Sequence, residues 1–130
     1  MVRNPETKKK LALGHRYARF LPDADVVVVV CSTLKMIKPG KNDSPAVSYF
    51  EVQDTAAAIQ NMLLAAWDLG VGSCWVGDFY DEEVREALGI PDDLGVMALI
   101  ALGYTDQMKN TAPARRSIEE YVHYERFSEK

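Results

Sequence analysis

The chain has 130 residues, 48% of them hydrophobic and 26% charged, which suits an ordinary folded domain with a modest core and argues against disorder. A formal net charge of −4 gives no electrostatic reason to expect nucleic acid or an anionic membrane surface as a partner. Cys31 and Cys74 stand far apart, with no second Cys or His at ligand spacing, so neither a disulfide framework nor a zinc site is expected. Both lie in apolar sequence and read as small buried hydrophobes.

The chain opens Met1-Val2-Arg3-Asn4-Pro5, without the apolar stretch of a signal peptide, and a cytoplasmic protein is expected. Residues 5–20 read as a helix, with Asn4 as cap, Pro5 at its first position, and Leu11, Leu13, Tyr17 and Phe20 as a rough apolar stripe. Lys8, Lys9 and Lys10 read as its solvated face. The β-branched run 26–30, ending in Cys31, predicts a strand buried on both faces, as in the middle of a covered sheet. That apolar run is far too short to span a bilayer.

Residues 35–45 carry Pro39-Gly40 and Asn42-Asp43 and read as an exposed loop. A long helix is expected from Asp54, which would cap it, to a stop at Gly70. Its residues are apolar nearly all round, so it should be buried at the centre of the domain or against another subunit. Residues 72–75 read as a glycine-interrupted turn leading into an extended piece through Val76. Residues 81–88 form a short helix with an acidic start, ended by Gly89. Residues 96–102 form a second apolar strand, ended by Gly103, and a tail follows with Arg115-Arg116. This order predicts one α/β (α+β) layered domain over residues 1–130.

No nucleophile, base and orienting partner stand together. His15 and His123 each lack a partner and read as surface or packing residues. Three glycines, Gly70, Gly72 and Gly77, bracket Ser73-Cys74-Trp75-Val76, and such a stretch lets backbone approach a flat ligand with Trp75 as an apolar wall. Spacing alone favours a helix cap followed by a turn into a strand. It is not a dinucleotide fingerprint, since the glycines follow a helix rather than a strand. Arg115 and Arg116 suit a phosphate through charge-assisted contacts, although an exposed pair is usually solvated surface.

Residues 54–66, followed by Leu69-Gly70-Val71-Gly72-Ser73-Cys74-Trp75-Val76-Gly77, strongly resemble the central helix and following loop of the nitroreductase family. Around them, Val2-Arg3-Asn4-Pro5-Glu6 is similar to the family's strand end and Lys-rich helix, and residues 25–31 to its central strand. Residues 84–91 with 96–104 resemble its Leu-Gly-Ile-Pro helix end and the strand closing in Gly-Tyr. Residues 115–122 resemble its C-terminal arginine segment.

The resemblance implies a central, mostly antiparallel sheet flanked by helices. It also implies a homodimer binding FMN at its interface and passing reducing equivalents from NAD(P)H to a nitroaromatic, quinone or similar small acceptor. Cys74, Trp75, Val76 and Gly77 would lie along the flavin ring, and Arg116, with Arg115, would meet its phosphate. No catalytic side chain and no metal ligand are implied. The family's N-terminal Arg-Arg-Ser-x-Arg and Pro-Ser-x-x-Asn-x-Gln-Pro-Trp patterns do not occur, so an N-terminally truncated member is expected. The alternatives are a degenerate relative that dimerises without flavin and a compact α/β module that binds another ligand in the glycine-rich loop.

Overall fold

The computed structural model describes residues 1–13, 17–33, 46–106 and 113–127. The polar stretch 35–45 and His15 lie outside them. Helix α1 (Pro5–Ala12) starts as its sequence directs: Asn4 Oδ1 accepts the Thr7 N–H at 3.0 Å, and Pro5 sits where an N–H would have no helical partner. It ends at Ala12 rather than residue 20, with Leu13 already extended. The expected stripe fails for a packing reason: Leu13, Tyr17 and Phe20 face solvent, while Ala18 and Leu21 fill the core around a 3₁₀ turn at Leu21–Asp23. Lys8 departs from the solvated face as well. It is only 7% exposed, and its Nζ donates to the Ala24 carbonyl, the partner a buried ammonium needs.

The strands β1 (Val26–Thr33), β2 (Gly72–Val76) and β3 (Leu94–Gly103) form one sheet in the order β1-β3-β2, antiparallel at both junctions. The middle strand is therefore β3, not the valine run. Among the described residues β1 has beyond it only an isolated bridge between Val2 and Val27. Val27 is buried, Val28, Val29 and Val30 are half-buried, and Cys31 is exposed. Five β-branched residues specify a strand; they do not specify its rank in the sheet. Register runs from Val26↔Leu102 to Val30↔Ala98, then shifts so that Cys31 opposes Val96.

Helix α2 (Ala46–Asp68) begins eight residues before the expected cap, so Asp54 is an exposed residue inside the helix and caps nothing. Residues 46–53 contain no glycine or proline to stop the helix, and Thr55 Oγ1 donates back to the Glu51 carbonyl at 2.7 Å, a mid-helix habit of threonine. At its far end the Val71 N–H reaches the Ala66 carbonyl at 2.8 Å and the Gly70 N–H reaches Trp67 at 3.0 Å. With Gly70 at φ 72°, this is a Schellman exit. Helix α3 (Asp81–Leu88) also ends on a left-handed glycine, Gly89 at φ 64°, with the N–H groups of Gly89 and Ile90 both reaching the Arg85 carbonyl.

The sheet has a layer on each face, as strand alternation requires. On one face Ile59 of α2 packs against Ala98 and Ile100 of β3, with Val28, Val30, Met62, Leu63 and Leu102 around them. On the other, Leu11, Leu21, Val84, Val27, Val76, Leu99 and Ala101 form the larger core beneath α1 and α3. Each fully buried Leu or Ile contributes roughly 1.5–3 kcal/mol. The mixed α/β layering with an antiparallel sheet agrees with the expected architecture. No described helix is long and apolar enough to cross a membrane.

Candidate functional site

The stretch 70–77 is the exit of α2 and the whole of β2, not a turn followed by a short extension. Its ladder to β3 runs Gly72↔Gly103, Ser73↔Leu102, Cys74↔Ala101, Trp75↔Ile100 and Val76↔Leu99. Val76 is buried in the core under α3, so Trp75, one residue earlier, points to the opposite face, where it remains 40% exposed. Cys74 is exposed, as is Cys31. Both thiols sit on outer strands that neighbouring elements cover only in part, which overturns the reading of buried hydrophobes. Burial on one side still pushes the Cys31 thiol above the ordinary cysteine range; the Arg85 guanidinium pulls it down and the Asp81 carboxylate adds to the rise.

The three glycines have different reasons to be there. Gly70 needs its positive φ to end α2. At Gly72 an added Cβ would meet the Gly103 carbonyl oxygen at 3.0 Å and Thr105 Cγ2 at 3.2 Å, so close strand approach requires glycine. Gly77 has neither reason. A Cβ there would meet only Trp75 Nε1, at an ordinary 3.9 Å, and the residue is exposed at the end of β2. The fold explains Gly70 and Gly72 and leaves Gly77 open to something approaching from outside. Beside the exposed Trp75 indole, that is a surface on which a flat ring can lie.

Arg115 and Arg116 are exposed at the start of the segment 113–127. The Arg116 guanidinium lies 5.9 Å from the centroid of the Tyr121 ring, a cation–π distance. Immediately after it, Ser117 and Glu120 form a reciprocal capping box around a 3₁₀ turn at Ile118–Glu120, with the Ser117 N–H donating to Glu120 Oε1 at 3.0 Å. His123 packs on Phe127 with ring centroids 4.4 Å apart, which bears out a packing role. Arg116 and the β2 end are thus each held within their own segment. The donor set fits a phosphate-bearing flavin: two guanidiniums suit the phosphate, and Trp75 with Gly77 suits the ring. Among the described residues no three His, Cys, Asp or Glu side chains gather into a metal-holding group.

Sequence reasoning missed the groups that hold this region in place. Asp81 and Arg85, an i,i+4 pair on α3, form an ion pair through Asp81 Oδ2 and Arg85 Nε. Arg85 also donates to the carbonyls of Pro91, at 2.9 Å, and Leu94, while Asp81 Oδ1 accepts the Val96 N–H at 3.3 Å. The spacing was visible in the sequence; its attachment to β3 was not.

Comparison with known proteins gives a consistent result. Residues 2–104 match the family model described as the nitroreductase family. A protein of Archaeoglobus fulgidus named as an NADH dehydrogenase/NAD(P)H nitroreductase is 37% identical over 114 residues, covering 85% of this chain and 62% of that protein. Among solved structures, an FMN-dependent nitroreductase from Clostridium difficile is 26% identical with a TM-score of 0.76, covering 97% of this chain and 73% of that one. An NADPH:FMN oxidoreductase from Vibrio harveyi complexed with NAD+ is 25% identical with a TM-score of 0.82, covering 98% and 58%. The chain therefore spans about six-tenths of the length of the archaeal relative.

Proposed function

The chain belongs to the nitroreductase family, and from that premise we propose that it is an FMN-dependent oxidoreductase. It passes reducing equivalents from NAD(P)H to a small acceptor such as a nitroaromatic or quinone, as a cytoplasmic homodimer. The observation that carries the reading is Gly77, a glycine the fold does not require, beside a half-exposed Trp75 at the strand end that the family resemblance assigns to the flavin. When bound, FMN supplies the redox chemistry.

The chain's own residues bind and orient it. Trp75 and Gly77 line the ring, Trp75 excluding water from one side and Gly77 leaving the backbone approachable, while Cys74 and the core-buried Val76, on the other face of β2, meet it only through their backbone. Arg115 and Arg116 hold the phosphate, each charge-assisted bond contributing roughly 1.5–3 kcal/mol. The dimer rests on the outer face of α2, where Phe50, Leu64 and Trp67 are more than half exposed in the single chain. Apolar area of that kind on a helix already packed on its inner side is what a second subunit covers.

The test is reconstitution of the full chain with FMN. Flavin absorbance that survives gel filtration, quenched flavin fluorescence, and NADH or NADPH oxidation dependent on a quinone are expected. Flavin fluorescence unchanged throughout an FMN titration overturns the reading. A dimer that persists in that case would establish the non-catalytic, dimerising alternative.

A further inference from the structure

Residues 77–80 join two fixed points on the same strand. At one end Val76 is registered on Leu99 of β3. At the other, Asp81 Oδ1 accepts the N–H of Val96, three residues earlier on β3. Asp81 does not hold that position alone. Its second oxygen takes the Arg85 Nε–H, and the remaining guanidinium nitrogens of Arg85 bond the carbonyls of Pro91 and Leu94, which lead into β3. One ion pair thus fastens the start of α3, the turn after α3 and the start of β3 together. From this geometry we propose that Asp81 and Arg85 are positioning residues for the segment 77–80, setting where its first residue, the proposed flavin contact Gly77, meets the ligand.

Helix α3 already has anchors of its own: Val84 is buried in the core, Ala87 and Leu88 pack against it, and the last turn is closed at Gly89. A pair serving α3 alone would close within its own helix, as Lys9 and Glu6 do at i,i+3 on α1. Here five donor and acceptor atoms of the pair are engaged, and three of the groups they meet lie on residues 91–96, outside α3. A fork of this kind fixes orientation as well as distance. What it orients is the one end of the segment that β2 does not already control. The inference rests on the flavin reading above; neither side chain is placed in contact with the flavin.

The experiment uses Asp81→Asn, which keeps an acceptor for Val96 but removes the charge facing Arg85, and Arg85→Lys, which keeps the cation but drops the fork. Hydrogen exchange of the amides of residues 77–80 and Val96 is read on the full chain without flavin, and FMN affinity is read by fluorescence. Exchange at least tenfold faster at those amides is expected, with FMN affinity at least tenfold weaker and a cooperative melt retained. Exchange and affinity within twofold of the parent overturn the proposal, as does a lowered melting temperature with both readings unchanged, which would make the pair a staple of α3 only. If Asp81→Asn loses its cooperative melt, Arg85→Lys carries both readings. Failure of the parent chain to bind FMN sinks the functional reading instead, and the exchange result still decides whether the clamp exists.

Discussion

Asp25 and Tyr104 are joined across the end of the sheet, the Asp25 Oδ2 accepting the Tyr104 N–H at 3.0 Å. Between them sits Gly103, where an added Cβ would lie 2.9 Å from that same oxygen and 3.2 Å from the Asp25 backbone nitrogen. Gly103→Ala is therefore expected to destabilise the fold by about 1–3 kcal/mol, the usual range for overpacking. Asp25→Ala removes one exposed hydrogen bond and costs about 1 kcal/mol. In the double variant the carboxylate part of the clash is gone and the backbone part remains. Urea unfolding of the three variants should show the double variant less destabilised than the sum of the two single changes, by the carboxylate part of the clash.

Gly77→Ala separates ligand from fold. Since the new methyl meets only Trp75 Nε1 at 3.9 Å, the melting temperature should stay within about a degree or two of the parent, in keeping with a surface change under 0.5 kcal/mol. FMN affinity should fall, because the methyl stands where the ring approaches. Unchanged FMN binding in a folded variant would remove the observation on which the functional reading rests.

Arg115→Gln and Arg116→Gln are expected to weaken FMN binding by about ten- to a hundredfold each, the equivalent of one lost charge-assisted bond. Riboflavin, which lacks the phosphate, provides the control: its binding should be the same in parent and variants. A matching loss for riboflavin would show that the arginines act on the segment 113–127 rather than on a phosphate.

Leu64→Lys places a charge on the outer face of α2, where Leu64 is 58% exposed in the single chain. Light scattering should report a dimer for the parent and a shift to monomer for the variant. A monomeric parent would remove the interface role of α2.

The Cys31 thiol is held above the ordinary cysteine range, chiefly by burial. Its thiolate fraction near pH 8 is then below that of a free thiol, and iodoacetamide should alkylate it more slowly than the cysteine of an unstructured peptide carrying the same sequence. The linked stability has a fixed sign. A folded-state pKa above the unfolded value favours the neutral thiol, so that contribution is fully present below the unfolded pKa and is lost as pH rises through the folded one. Asp81→Asn removes a carboxylate that adds to the rise, so alkylation of Cys31 should quicken in that variant.

Local chemistry was legible in the sequence wherever it was decided within a few residues. Asn4-Pro5 starts α1, Gly70 and Gly89 end α2 and α3, and the valine run is a strand. Errors arose where a local signal competed with packing. Asp54 has the chemistry of a cap, yet nothing before it breaks the helix, so α2 runs back to Ala46. Leu13, Tyr17 and Phe20 keep helical spacing but face water, because Ala18 and Leu21 reach the core from another direction. The valine run looks central by composition and lies beside the true middle strand.

The segment 70–77 shows the same division. Its residue types carried the family resemblance and, with it, the expectation of a flavin-facing edge. Only the folded chain could say that Gly70 serves a helix end, that Gly72 serves the close approach of Gly103, and that Gly77 serves neither. Sequence spacing determines caps, strand character and helix ends because these arise from torsions and hydrogen bonds between near neighbours. Strand order, the pinning of Asp81 to Val96 and the spare glycine depend on which distant surfaces meet, and that is settled by burial across the whole sheet.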